Sequence, residues 1–531
     1  MAVLLEFLDT PYLQGVCIAL VLVFASSFWE DFSDEIPYGR LPLVGKSGWD
    51  LSNRKARSQF TSSARALIAE GFAKGMSVFQ VMGSTRPLIV LHPKYIDEIK
   101  SHPHLNFEGA TRKNFFEDRI PGFEPFHSAG AGKVLIDTVR IKLTRALGSL
   151  TIPLTRETAA TVKDAFPPSK GIAEEASSPI YTDSLQNGRH NFSQKVPYMV
   201  ARMSTLIFMG EKDCRDEEWI NVSVNYTIDA FMAARELRQW PSILRPLVHW
   251  FIPAAQKLRK PQAVARSIVN REIEKRDMIR AGKLPDDSPR TRADALDWFE
   301  ELSAASNLPY DRSQGQVGLS MAAIHTTSNL LTNVMYDLTA HPEYIQSLRD
   351  EIRTVAIEDG VFKKTSLLKL KLMDSVMKES QRVHPPASLN RLATNDIALS
   401  DGTVIPTGAT IVVSAHVNED ESTYPHAHIY DGYRFYKKRQ EPGNEHRFQL
   451  VTTTRESFGF GHGLHACPGR FFAANESKIL LMHLLLKYDW KFKEDHGKPK
   501  NFENGTESIP DPTVELFRSR KPEVDLGVLG E

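Results

Sequence analysis

The sequence predicts a large, mainly α-helical domain with a minor β portion, preceded by an N-terminal transmembrane helix. Three observations carry this expectation. Helical patterning dominates the chain and culminates in Pro309–Ala340, a long segment apolar on nearly every face. Strand-like patterning is confined to two short regions, Ser77–Pro93 and Asp396–Ser414. From Tyr12 to Trp29 the chain runs about 18 residues without a charge, near the lower limit for a bilayer-spanning helix.

Taken in chain order, residues 1–30 read as a membrane anchor, with Tyr12 and Trp29 at its two interfaces. A cleaved signal peptide is the competing reading, but Glu6 and Asp9 precede the apolar run and no Lys or Arg does. The first basic residues, Arg40 and Lys46, follow it, which favours a cytosolic body. Residues 31–46, with IPYGRLPLVG at their centre, form a stiff Pro/Gly-rich connector, and residues 47–531 form the folded domain. Within it, SVFQVMG and RPLIVLHP are strands around a turn. Pro167–Asn187 is polar and turn-rich, a candidate flexible insertion. The buried helix in Pro309–Ala340 spans some 25–30 residues, a rod of about 40 Å that crosses a domain. Asp396–Ser414 carries hairpin turns at Asp401-Gly402 and Thr407-Gly408.

Composition narrows function by exclusion. Sixty-five basic and 65 acidic side chains cancel, and no basic tail or stripe suggests nucleic acid. The cysteines, Cys17, Cys214 and Cys467, are three in number and far apart, which is no disulfide framework and implies a reducing environment. The Asn-x-Ser/Thr triplets at Asn191, Asn221, Asn225, Asn475 and Asn504 are then chance matches.

The chemistry concentrates in FGFGHGLHACPGRFF, Phe458–Phe472. A lone cysteine is most often a small buried hydrophobe. Here Phe460, Gly463, Cys467 and Gly469 set it in F-x-x-G-x-x-x-C-x-G, just before a helical stretch that begins after Arg470. The glycines allow a flat body to lie against the main chain, and a helix N-terminus stabilises a thiolate. With no second cysteine or histidine cage nearby, the site is poor for zinc but suits one axial bond to haem iron.

This stretch resembles that of the cytochrome P450 haem-thiolate monooxygenases. The resemblance implies the P450 fold for the body and haem b as cofactor, with Cys467 as the iron ligand and Phe460, Gly463 and Gly469 lining it. His465 stands where arginine commonly contacts a haem propionate. Three further matches follow in order. Glu379-x-x-Arg382 with Arg434 resembles the family's structural Glu-Arg-Arg network, and Arg391 matches its propionate-binding arginine. In AAIHTTS, Ala322–Ser328, Thr326 matches the oxygen-activating threonine. Ala323 replaces the commoner glycine, and His325, a candidate proton relay, replaces an acidic residue.

The resemblance also implies NADPH-derived electrons from cytochrome P450 reductase, with cytochrome b5 as a second donor. No G-x-G-x-x-G fingerprint offers a nicotinamide site in the chain itself. With the anchor, it implies a single-pass protein of the endoplasmic reticulum membrane facing the cytosol. Family layout places substrate contacts at Leu105–Lys133 (Phe107, Phe115, Phe116, Phe123 and Phe126), Met321–Ala323, Ala387–Leu389 and Ser508-Ile509. The motifs look most like ascomycete enzymes of secondary metabolism, so a lipophilic polycyclic terpenoid is the expected substrate, with a polyketide or alkaloid as the alternative. Outside that chemistry stand a haem-thiolate isomerase or dehydratase and a non-catalytic haem sensor.

Overall fold

A computed structural model describes residues 36–520, apart from 48–49, 51, 117–118, 127–131, 168–191, 287–292, 307–309, 387–388 and 494–498, together with Gly15 and Ile18. The expected anchor therefore lies outside the described residues, as does nearly all of the 167–187 insertion. No helix among the described residues is long and apolar enough to cross a membrane.

Helices make up most of the body, as expected. In chain order they are α1 (Arg54–Ala73), α2 (Phe107–Asn114), α3 (Thr144–Ala165), α4 (Phe192–Phe208), α5 (Glu217–Arg238) and α6 (Pro253–Arg280), joined by several shorter turns. There follow α7 (Ala295–Ser306), α8 (Arg312–Ala340), α9 (Glu343–Asp359), α10 (Lys371–Val383), α11 (Arg434–Gln440) and α12 (Arg470–Lys487). The long buried helix of the sequence is α8. It starts at Arg312 because the Asp311 carboxylate caps it, accepting from the Gln314 N–H, and its 29 residues span about 44 Å. Between Arg312 and Asp337 it carries no carboxylate, lysine or arginine, so it can be sheathed by other helices. The α8 residues Leu331, Val334 and Met335 share one apolar core with Met199, Met203, Trp219, Leu480 and Leu484.

The minor β portion is assembled from distant pieces. Strands β1 (Leu43–Val44), β2 (Val78–Met82), β3 (Pro87–Leu91), β4 (Leu105–Asn106), β5 (Leu389–Ala393) and β8 (Thr410–Val413) form one six-stranded sheet. Its order is β1-β2-β3-β8-β5-β4. The anticipated hairpin is β2–β3, antiparallel with Val78 opposite Leu91. β8 pairs parallel to β3 (Leu88 opposite Thr410) and antiparallel to β5 (Leu389 opposite Val413). The turn at Gly402 (φ 84°) closes β6 (Ile397–Ala398) on β7 (Val404–Ile405). Near the C-terminus β9 (Tyr488–Phe492) pairs with β12 (Leu516–Arg520), and β10 (Phe502–Asn504) with β11 (Glu507–Ile509).

Candidate active site

The cysteine loop is held by its own backbone. Cys467 N donates to Phe460 O at 2.7 Å and Gly461 N to Phe458 O at 2.8 Å, folding the glycine run back on itself. Leu464 N donates to Lys100 O at 3.0 Å, docking the loop on the segment that leads into β4. Gly463 is required for that contact: its φ is +72°, and a Cβ there would lie 2.1 Å from Lys100 O. Phe460 is half-buried against the helical core.

Helix α12 begins at Arg470, with Gly469 at its N-cap and Cys467 just outside its first turn. Burial pushes the Cys467 thiol up, while the Gly469 and Arg470 N–H groups and the Arg470 charge pull it back toward thiolate. Arg470 Nη1 also donates to Cys467 O at 2.7 Å, fixing the cysteine's backbone. A Cβ on Gly469 would meet Val139 at 3.5 Å and Cys467 Sγ at 4.0 Å, so glycine keeps a side chain from lying against the sulfur there. The other described cysteine, Cys214, is buried with its thiol pushed up to about 12 by desolvation.

Glu379 and Arg382 lie on one face of α10, and the structure brings Arg434, at the start of α11, to the same carboxylate. Arg382 Nη2 and Nε donate to the two Glu379 oxygens at 2.7 and 2.9 Å, and Arg434 Nε lies 3.1 Å from each. Glu379 is fully buried. The remaining guanidinium donors go to main-chain carbonyls: Arg382 to Asn418 (2.6 Å) and Ala427 (2.8 Å), Arg434 to Pro425 (2.7 Å) and Ile429 (3.1 Å). One carboxylate thus orients two cations that together pin the irregular chain 418–429. That segment has little regular pairing of its own, and buried carbonyls demand donors.

Arg391, on β5, is buried. Among the described residues its hydrogen bond runs from Nη1 to Asn390 O at 2.7 Å, and its guanidinium sits 5.5 Å from the Phe107 ring. It has no carboxylate partner among the described residues, and burial pulls it down to about 10. Burial, and then the nearby Arg391 charge, lower the pKa of His465, whose Nε2 meets Leu105 O at 3.0 Å. A buried cation without a carboxylate partner among the described residues, close to His465 of the cysteine loop, fits a haem carrying anionic propionates.

On α8, Ala322 and Thr326 are exposed one turn apart, whereas Ile324, Thr327 and Ser328 on the other faces are buried. This open stripe is on the helix that runs through the core. Thr326 Oγ1 donates to Ala322 O at 2.8 Å, which commits its proton and leaves its lone pairs free to accept. His325 turns aside: its Nε2 meets Val224 O of α5 at 2.9 Å, and burial lowers the pKa of its imidazole. Met321 and Ala323 are half-buried against the core.

Of the anticipated substrate contacts, Phe115, Phe116, Phe123 and Phe126 pack on one another. Phe115 and Phe126 stack at 3.8 Å, and Phe116 meets Phe123 edge-on at 5.3 Å. Phe107 lies apart, 50% exposed. Leu389 is buried in β5, whereas residues 387–388 lie outside the described residues. Ser508 is buried and accepts from Asn501 Nδ2 at 3.0 Å, and Ile509 is exposed. The sequence offered no sign of Phe231, on α5, which stands edge-on to Phe115 (5.5 Å) and Phe126 (6.2 Å) yet is 40% exposed. Helical spacing from Val224 (224, 227, 231) was the available clue.

A domain of this architecture, with a cysteine at a helix N-terminus under a glycine loop, is that of a haem-thiolate protein, and comparison with known proteins agrees. The cytochrome P450 family model matches residues 66–516. Among curated relatives, Cytochrome P450 monooxygenase calE of Penicillium decumbens is 39% identical, covering 93% of each chain. Cytochrome P450 monooxygenase pyr3 of Aspergillus fumigatus is 39% identical over 90% of this chain and 89% of its own. The solved cytochrome P450DA heme domain shares the fold, with a TM-score of 0.66 at 14% identity over 91% of this chain and 98% of that one. The chain therefore belongs to the cytochrome P450 family. It is a monooxygenase whose cofactor is haem b, its iron ligated by a cysteine thiolate. Members of the family draw electrons from redox partners such as NADPH–cytochrome P450 reductase and act on lipophilic substrates.

Proposed function

We propose that this monooxygenase inserts one atom of dioxygen into a polycyclic terpenoid of the diterpene, indole diterpene or meroterpenoid type, in fungal secondary metabolism. The observation that carries the reading is the open Ala322–Thr326 stripe in mid-core, together with an aromatic wall of Phe115, Phe126 and Phe231 whose 124–126 segment packs on the same helix at Gly318. Such a wall suits a flat, apolar, multi-ring body. Bound haem supplies dioxygen activation and oxygen transfer.

The residues of the chain do the rest. Cys467 ligates the iron, with Phe460, Gly463 and Gly469 shaping the loop around it. Arg391 neutralises a propionate, and His465 ties the loop to Leu105 beside it. Thr326, its proton already donated to Ala322 O, accepts a hydrogen bond from a water and so holds a proton donor at the stripe. His325 holds α8 against α5, and only its Nδ1 remains for a proton-relay role. Residues 1–30 anchor the protein in the endoplasmic reticulum membrane, 31–46 connect, and 47–531 face the cytosol. There P450 reductase, with cytochrome b5, delivers NADPH-derived electrons.

The test is expression of the full chain with a reductase in a host fed polycyclic terpenoids. Products heavier by one oxygen are expected by mass spectrometry. Turnover of polyketide or alkaloid substrates alone would overturn the substrate class, and rearranged products made without NADPH would overturn monooxygenation.

A further inference from the structure

The polar face of α8 does not stop at Thr326. About three turns further on, some 16 Å along the axis, the helix returns to the same azimuth at Asp337. Asn329 and Asn333 fall on that face between them, so side chains 326, 329, 333 and 337 follow one another at about 5–6 Å. Exposure falls along the line: Thr326 is open, Asn329 half-buried, Asn333 buried and Asp337 fully enclosed. Leu331, Val334 and Leu338, on the other faces, are buried and apolar.

Asp337 is the one carboxylate within α8. Its Oδ2 accepts from Ser380 Oγ of α10 at 2.7 Å, and its Oδ1 lies 3.1 Å from His384 Nε2. His384 sits at the C-terminal cap of α10 and its side chain keeps 13% exposure, so the far end of the line reaches toward solvent. In the middle, Asn333 Oδ1 is buried and has no hydrogen-bond partner among the described residues. An orphaned acceptor with polar neighbours one turn to either side is where an internal water binds.

We propose that His384, Asp337, Asn333 and Asn329 form a proton route that feeds the water held by Thr326. The route rests on the role given to Thr326 above, and it answers the absence of an acid beside that threonine, where His325 is turned to Val224 O. His384 passes its Nε2 proton to the Asp337 carboxylate and takes one from solvent at Nδ1. Asp337 passes the proton to a water on Asn333 Oδ1. That water gives one of its own protons to a water on Asn329, which passes one to the water at Thr326. The amides do not ionise; they hold the waters in order. Monooxygenation takes two electrons and two protons per dioxygen, one oxygen entering the substrate and the other leaving as water. Each turnover therefore draws two protons down the line.

The test uses the full-length haem-loaded protein with a P450 reductase, oxidising NADPH without added substrate. Dioxygen then leaves as peroxide, after two electrons and two protons, or as two waters, after four of each, so late protons let peroxide escape. Asn333→Leu and His384→Gln (which keeps a donor for Asp337) should raise the peroxide formed per NADPH several-fold, with the haem spectrum unchanged. Asn333→Ser, which keeps a polar anchor and leaves room for water, should bring it back close to the parent's. A crystal structure of the parent should show a water hydrogen-bonded to Asn333 Oδ1. A dry Asn333 there would overturn the route. So would a parent-like peroxide yield in either folded variant while Thr326→Ala raises it, and the role of Thr326 would then stand. A parent-like yield in Thr326→Ala as well would overturn both.

Discussion

Gly463 leaves no room for a methyl group, because Lys100 O occupies the place a Cβ would take and φ is positive. The Gly463→Ala variant must lift the cysteine loop off that carbonyl, so the haem content of purified protein should fall several-fold, read from the Soret-to-protein absorbance ratio. Thr326 makes a subtler case. Removing its hydroxyl frees Ala322 O and deletes an acceptor from the open stripe, without touching the core. Thr326→Ala should therefore keep its haem spectrum but divert several-fold more NADPH to peroxide; unchanged coupling would remove the role assigned to it. At this scale the sequence was most legible where chemistry is contiguous, as in Phe458–Phe472. It was blind to Lys100 and Leu105 as seats for the loop, because those contacts are made through backbone carbonyls, which no side-chain pattern records.

At the scale of elements, three cases stand out: the Glu-Arg-Arg cluster, α12, and the strands of the sheet. Glu379 is fully buried between Arg382 and Arg434, and a lone carboxamide there would leave two buried guanidiniums uncompensated. Glu379→Gln should destabilise the protein by about 3–5 kcal/mol and cost it haem, measured by denaturation with the Soret band as probe. Helix α12 carries a second buried acid, Glu476, whose Oε1 lies 2.8 Å from Ser204 Oγ and whose carboxyl burial pushes up to about 8. Its folded pKa is above the unfolded value, so the native state holds a proton that the unfolded chain releases. Stability is therefore lost as pH rises from the unfolded value toward 8. Glu476→Gln should raise the melting temperature relative to the parent at pH near 8, with the gain vanishing near pH 5.

Long elements with strong patterning were readable, α8 above all, although its start waited on the Asp311 cap. The hairpin β2–β3 was readable for the same reason. The two-residue strands β1 and β4 were not, since two residues hold no period, and β9 with β12 are paired only through tertiary contact.

For the molecule as a whole, the sheet joins Leu43 to Val413, and the helical core joins α3 to α12, so the two halves close over the same loop. Contacts at such separation are set by packing, which is why the sequence yielded the fold class, the motifs and the phenylalanines at 115 and 126 but not Phe231, which completes their cluster from another helix. The most direct measurement is the carbon monoxide difference spectrum of the reduced full-length protein and of Cys467→Ala. The account predicts the long-wavelength Soret band of thiolate ligation in the parent and its loss in the variant. A well-folded, haem-containing parent without that band, or a variant that keeps it, would contradict the assignment of Cys467 as the iron ligand.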